Sequence, residues 1–201
     1  MKSSLFIISF FIGGLLLGIL FQDSLNFDIN KFTDYALYAL LLFVGVNLGS
    51  DPKFLEIIKS IRPRIFFIPL ATIIGTLLGV VVYQLIFGKL KFGESLAVGF
   101  GFGYYSLSSI ILTKLSGESL GVIALLANIS REVITLLLAP FFVKICGKLA
   151  PITAGGATSM DTTLPIIIKS SGKEFLIHSM VHGVILTILV PFLVSLAIQF
   201  L

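Results

Sequence analysis

Only 12% of the 201 residues are charged and 57% are hydrophobic, whereas soluble domains carry roughly a quarter charged residues. A soluble domain is therefore excluded. Several apolar runs reach the about 20 residues that a membrane span requires. They are continuous rather than alternating, which excludes an outer-membrane barrel and leaves an all-α integral membrane protein. The net charge of +4 does not point to nucleic acid, because Lys and Arg sit mainly in short connections, where membrane orientation places them. Cys146 is the single cysteine, so no intramolecular disulfide can form.

About seven hydrophobic segments follow one another. The first, 4–22, is too long for a signal-peptide core and lacks a small-x-small cleavage site, so it reads as a retained helix. Its Gly14 and Gly18 suit close helix packing. The second, 32–49, ends at Asn47, Ser50 and Asp51, and the third, 65–87, repeats the small-residue pair at Gly75 and Gly79. Residues 1–87 read as three ordinary spans and 95–201 as a region of broken helices, all within one transmembrane transporter domain, 1–201.

The fourth segment, 95–113, contains Gly99, Gly101 and Gly103 before Tyr104-Tyr-Ser-Leu-Ser-Ser109. Each glycine weakens a helix by about 1 kcal/mol relative to alanine. The fifth, 119–144, is a long helix interrupted by Asn128, Arg131 and Glu132. The sixth, 150–170, holds Gly155-Gly-Ala-Thr-Ser-Met-Asp161-Thr-Thr-Leu-Pro165. Such backbone cannot face lipid, where unpaired polar groups each cost several kcal/mol, roughly. The stretches 99–109 and 155–165 are therefore expected to be discontinuous or re-entrant, with Gly99, Gly101, Gly103, Gly155, Gly156 and Pro165 as hinges. The seventh segment opens on Ser171-Gly-Lys-Glu174, the spacing of a capping box, and Pro191 is expected to kink it. Counting basic residues in the connections puts the N-terminus in the cytoplasm.

Asp161 is the first functional candidate, because a charge near the bilayer centre costs about 2.5–3.5 kcal/mol and is usually kept for a cavity or partner. The bland reading is that it caps a half-helix starting near Thr162; half-helix ends in transporters also bind solutes. Thr158, Ser159 and Thr162 would join it as substrate-binding groups. Asn128, Glu132 and Thr135 share one helical face with Arg131 at its edge. Arg131 is expected to form a structural ion pair, with Asp161 as its acid. Glu132 would then be left for substrate or proton, and Asn128 for substrate. Tyr104, Tyr105, Ser106, Ser108 and Ser109 look like a lining for a polar, cationic solute, since aromatic faces attract ammonium groups by about 0.5–2 kcal/mol; an interfacial belt is the alternative. His178 and His182 stand four apart, too few ligands for a metal site. Packing, or a proton relay through His182, is the better reading, and no metal or other cofactor is expected.

The run from Gly101 to Ser108, the Arg131-Glu132 pair, the 155–165 stretch, Val181-His-Gly183 and Leu189-Val-Pro191-Phe occur here in one order. Together they resemble the LysO-type lysine exporters of bacterial and archaeal inner membranes, and Leu42-Phe-Val-Gly-Val46 looks like that family's recurring element. The resemblance implies export of L-lysine and its toxic analogues from the cytoplasm, with Asp161 matching an acidic residue thought to serve transport. Some relatives carry Asn-Asp where this chain has Ala127-Asn128, one carboxylate fewer. Full-length relatives also have an extra N-terminal portion. The partner implied is a small membrane protein supplying it, or a second copy of the chain.

Lysine carries one positive charge, and moving it out against an inside-negative potential costs about 2.3 kcal/mol per 100 mV. Export therefore needs coupling. Proton antiport, with Asp161 alternating between ammonium and proton and with Glu132 and His182 as further proton carriers, would supply it. A passive channel, a structural subunit and an exporter of another cationic amino acid remain as alternatives. An intramembrane enzyme is not expected: Glu132 could join Asp161 as a protease pair, but no metalloprotease run or loop domain is present.

Overall fold

The computed structural model describes residues 63–199 and a few scattered helical positions between 35 and 50. Apart from those positions, the first two expected segments lie outside the described residues, together with Gly14 and Gly18. Residues 63–199 belong to a single compact unit, Val44–Leu201.

The described elements are helical. A short 3-10 turn, Pro63–Phe66, leads into α1, Phe67–Ile86. Next come α2, Phe92–Gly99, and α3, Tyr105–Ser116, with the chain unwound between them. The long α4, Glu118–Cys146, follows Gly117. Another interrupted stretch then gives α5, Ala150–Gly155, a 3-10 turn at Gly156–Met160, and α6, Leu164–Ser171. The 3-10 turn Lys173–Phe175 introduces α7, Leu176–Gln199. Both glycine-rich stretches are thus broken helices, as their composition predicts. α7 runs through Pro191 as one α-helix.

Three helical stretches, Phe67–Ile86, Glu118–Cys146 and Lys173–Gln199, are long and apolar enough to cross a membrane, and the last is the most buried. α7 packs against α1, α2, α3, α5, α6 and the 156–160 turn. Gly183 makes this possible: a Cβ there would meet Met160 and the Ala157 carbonyl. α3 doubles back on α4 through Gly117, at φ +91°. Gly121 has no room for a side chain against Thr113.

Two local expectations are corrected. No capping box forms at Ser171, whose hydroxyl is buried without a partner; Glu174 instead accepts from Lys148 Nζ at 3.1 Å. Gly75 and Gly79 receive no neighbouring helix among the described residues, since the space beyond each is open.

The break in one segment touches the break in the other. The Ala157 N–H donates to the Phe102 carbonyl at 2.8 Å. Gly156, at φ +63°, sits so close to that carbonyl that a Cβ would overlap it. Phe102 itself has φ +47° and is fully buried, a left-handed conformation that costs a non-glycine residue roughly 1–2 kcal/mol. Gly156→Ala is predicted to separate the two breaks. The expected result is a loss of thermal stability in detergent of roughly 1–3 kcal/mol, against little or no loss for Gly75→Ala, which lies inside α1 with open space beyond it.

Candidate substrate site

The junction of the two breaks is held by the polar face of α4. Asn128, 3% exposed, accepts the Gly103 N–H on Oδ1 at 2.7 Å. Its Nδ2 donates to the Val98 and Ala124 carbonyls at 3.1 and 2.9 Å. One amide therefore ties the Val98 carbonyl at the end of α2, which also accepts the Gly101 N–H at 3.3 Å, to the loose N–H before α3. Gly101 makes room for it: a Cβ there would lie 2.5 Å from Asn128 Nδ2.

Arg131 does the same for the second break. Its Nε donates to the Ala154 carbonyl at 2.8 Å and Nη2 to the Thr153 carbonyl at 2.9 Å. These are the C-terminal carbonyls of α5, the negative end of a short helix. The guanidinium also stands 5.7 Å from the centre of the Phe102 ring, so it bridges both breaks. The expected ion pair with Asp161 does not form. α5 presents unpaired carbonyls directly to Arg131, and they take the place of a carboxylate.

α7 secures the other side. Its His182, completely buried, lies 3.0 Å through Nδ1 from Ser159 Oγ and 2.9 Å through Nε2 from Thr72 Oγ1. Ser159 Oγ also contacts the Gly156 and Ser179 carbonyls at 2.7 and 3.0 Å. Thr72 Oγ1 reaches the Ile68 carbonyl at 3.1 Å. The ring thus ties α1, the 156–160 turn and α7 together. His178 is separate: its Nδ1 is buried without a partner.

Several predicted site residues are occupied locally. Ser108 Oγ donates to the Tyr104 carbonyl at 2.9 Å and Ser109 Oγ to the Ser106 carbonyl at 3.4 Å. Thr158 Oγ1 donates to the Gly155 carbonyl at 2.8 Å and meets Thr163 Oγ1 at 3.3 Å. Asn128, Ser108, Thr158 and Ser159 thus hold backbone in place of solute, because each lies where a helix has left a carbonyl or N–H open. The glycines act through close contact more than through freedom. Gly99 is helical and faces Thr76 and Val80, and Gly155 faces Thr163. Among the glycines of the first break only Gly103 has positive φ, +87°, and it lies over the Gly155 carbonyl. Pro165 starts α6, where its fixed φ suits the first turn.

Other candidates remain open to a ligand. Asp161 and Thr162 are exposed in the second break, and Asp161 Oδ1 accepts the Thr162 N–H at 2.6 Å. α6 begins at Leu164, so Asp161 lies before the helix and does not cap it; no side-chain cap bond is made there. Tyr104 lies near enough for the charge of Asp161 to act on its phenol. Tyr104 and Tyr105 are half-buried and Ser106 is exposed. Glu132 is half-buried and forms no hydrogen bond or ion pair among the described residues. Phe102, Thr72 and Ser179 complete the junction but carry no sequence signal of their own, except that Phe102 lies between two glycines.

The family model described as "Lysine exporter LysO" matches residues 8–198. The chain belongs to the lysine exporter LysO family. It is 34% identical over 163 residues to "Lysine exporter LysO" of Escherichia coli K12, a match covering 81% of this chain and 54% of that protein. It is also 34% identical over 180 residues to a "Putative lysine exporter" of Haemophilus influenzae, covering 90% of each. The chain thus spans about half the length of the E. coli relative and nine-tenths of the other. No solved structure matches it. Membership in this family, with helices long and apolar enough to span, makes it a multi-pass protein of the cytoplasmic membrane.

Asn128→Ala is predicted to strand the Gly103 N–H, while the Val98 carbonyl keeps the Gly101 N–H at 3.3 Å. Each buried polar group left unpaired costs about 1–3 kcal/mol. Thermal unfolding in detergent should fall accordingly, whereas Ser109→Ala, which removes one long and partly exposed bond, should change it little.

Proposed function

We propose that the chain exports L-lysine across the cytoplasmic membrane in exchange for protons, with Asp161 as the group that takes either the ammonium or the proton. The observation that carries this reading is the meeting of two unwound segments at Phe102 and Ala157, with an exposed carboxylate beside the junction. Unwound backbone within a membrane is tolerated where it lines a cavity. Transporters use such crossings of discontinuous helices as binding sites. The names of the relatives support lysine as the solute.

Asp161 and Tyr104 suit a cation. The carboxylate offers a charge-assisted hydrogen bond and the aromatic face adds attraction to an ammonium group. Thr162 and Ser106 add exposed hydroxyls, and Glu132, unpaired among the described residues, serves as a second proton or ammonium acceptor. His182 works as a latch for the junction, both of its nitrogens being held by hydroxyls. Exchange of one lysine cation for one proton is electroneutral, so the about 2.3 kcal/mol per 100 mV that opposes a lone cation is not incurred. The reading includes a membrane partner, either a small protein or a second copy, that adds helices to the site.

Reconstituted vesicles test the reading. A lysine gradient should drive an opposing proton flux, and Asp161→Asn should lower lysine export by about tenfold or more, the loss of one charge-assisted bond, at unchanged protein level. Lysine transport without proton flux excludes antiport, and full export by Asp161→Asn removes Asp161 from the mechanism. Resistance of a sensitive host to a lysine analogue, with and without a co-expressed partner, decides whether the chain acts alone.

A further inference from the structure

Three cavities follow one another along α1. The first, about 710 Å³, lies beside Ile65, Ile68 and Ala71 and reaches Glu174 and His178. The second, about 520 Å³, shares Ala71 and Thr153 with it and continues past Thr72, Gly75 and Thr76. The third, about 400 Å³, shares Thr76, Ala127 and Arg131 with the second and runs on past Gly79 to Tyr83. From Ile65 to Tyr83 a helix rises about 27 Å at 1.5 Å per residue, close to the about 30 Å of a hydrocarbon core. Small residues create this groove: a Cβ at Gly75 or Gly79 would meet nothing within 4 Å.

Arg131 stands where the second and third cavities meet. Its Nε and one Nη2 hydrogen are spent on α5, while Nη1 makes no hydrogen bond among the described residues, and the residue lines both cavities. Guanidinium keeps its charge. A lipid tail in the groove would leave those N–H groups without an acceptor, which a membrane interior penalises by several kcal/mol, roughly. The natural occupant therefore brings an acceptor, preferably an anion.

We propose that the groove along α1 is a solute path and that Arg131 Nη1 binds the α-carboxylate of the exported amino acid midway along it. This rests on the export reading but adds to it: Asp161 recognises a cation, whereas Arg131 requires a carboxylate. The pair would admit a basic amino acid and reject a diamine. Arg131 is both a support for α5 and a substrate-binding residue, because the two roles use different nitrogens.

The test uses the full chain in lipid vesicles, with radiolabelled L-lysine displaced by unlabelled L-lysine or by cadaverine, which keeps both ammonium groups and lacks the carboxylate. The wild type should prefer lysine by about tenfold or more, the contribution of one charge-assisted pair. Labelled cadaverine should bind Arg131→Gln as it binds the wild type, while lysine falls to the cadaverine level. Arg131→Lys should recover part of the difference. Ala127→Leu, which fills the groove without touching the α5 carbonyls, should weaken lysine binding if Arg131→Gln does not fold. Equal wild-type affinity for lysine and cadaverine overturns the carboxylate site but leaves lysine export standing; no lysine binding by the wild type overturns both. Loss of lysine and cadaverine together in Arg131→Gln, or lysine binding untouched by Arg131→Gln or by Ala127→Leu, also overturns it, the groove then being a packing surface.

Discussion

Breaking a helix inside a membrane releases N–H and C=O groups that lipid cannot satisfy, and the rest of the described structure is arranged around that debt. Two breaks occur, near Gly101 and Gly156, and they are brought to one point so that they pair with each other through Phe102 and Ala157. What they cannot pair, α4 and α7 take up. Asn128 closes the first break, Arg131 the second, and the Ser159–His182–Thr72 bridge fixes the second break to the helices on either side. A soluble protein would leave this work to water.

This explains why polar residues crowd an otherwise apolar chain. Those on the inner side of the junction are saturated by backbone and are scaffold. Asp161, Thr162, Tyr104, Ser106 and Glu132 have few or no calls on their hydrogen-bonding capacity, and these are the groups the proposed exchange of solute and proton uses. Arg131 belongs to the scaffold through two nitrogens, and the proposed carboxylate site would use the third. The division falls along the hydrogen bonds and not along residue type.

The sequence made the breaks legible, because glycine at alternate positions and a Gly-Ala-Thr-Ser-Met-Asp run have no place in an uninterrupted span. Among the described residues the segment bounds followed to within a few positions, and Asn128 and Arg131 stood out as polar residues in an apolar helix. Their roles were harder to read. Spacing places Arg131 and Glu132 on neighbouring faces, yet it cannot reveal that α5 ends with two carbonyls aimed at the guanidinium, so a carboxylate partner was expected in their stead. The glycines gave a similar ambiguity: composition suggests hinges, whereas Gly99, Gly101 and Gly183 are small because Thr76, Asn128 and Met160 lie against them. Thr72 could not be singled out, since nothing local distinguishes a threonine facing a histidine 110 positions away. Family likeness added the solute, which no contact in the chain encodes.

The central claim is that the junction is open to water and occupied by solute, although it lies among membrane helices. Thr162→Cys in a Cys146→Ser background, probed with a charged, membrane-impermeant thiol reagent in vesicles that retain transport, addresses it directly. The account predicts labelling of the new cysteine, slowed by saturating L-lysine. A cysteine that reacts from neither face, or one whose labelling rate is the same with and without lysine, would contradict it.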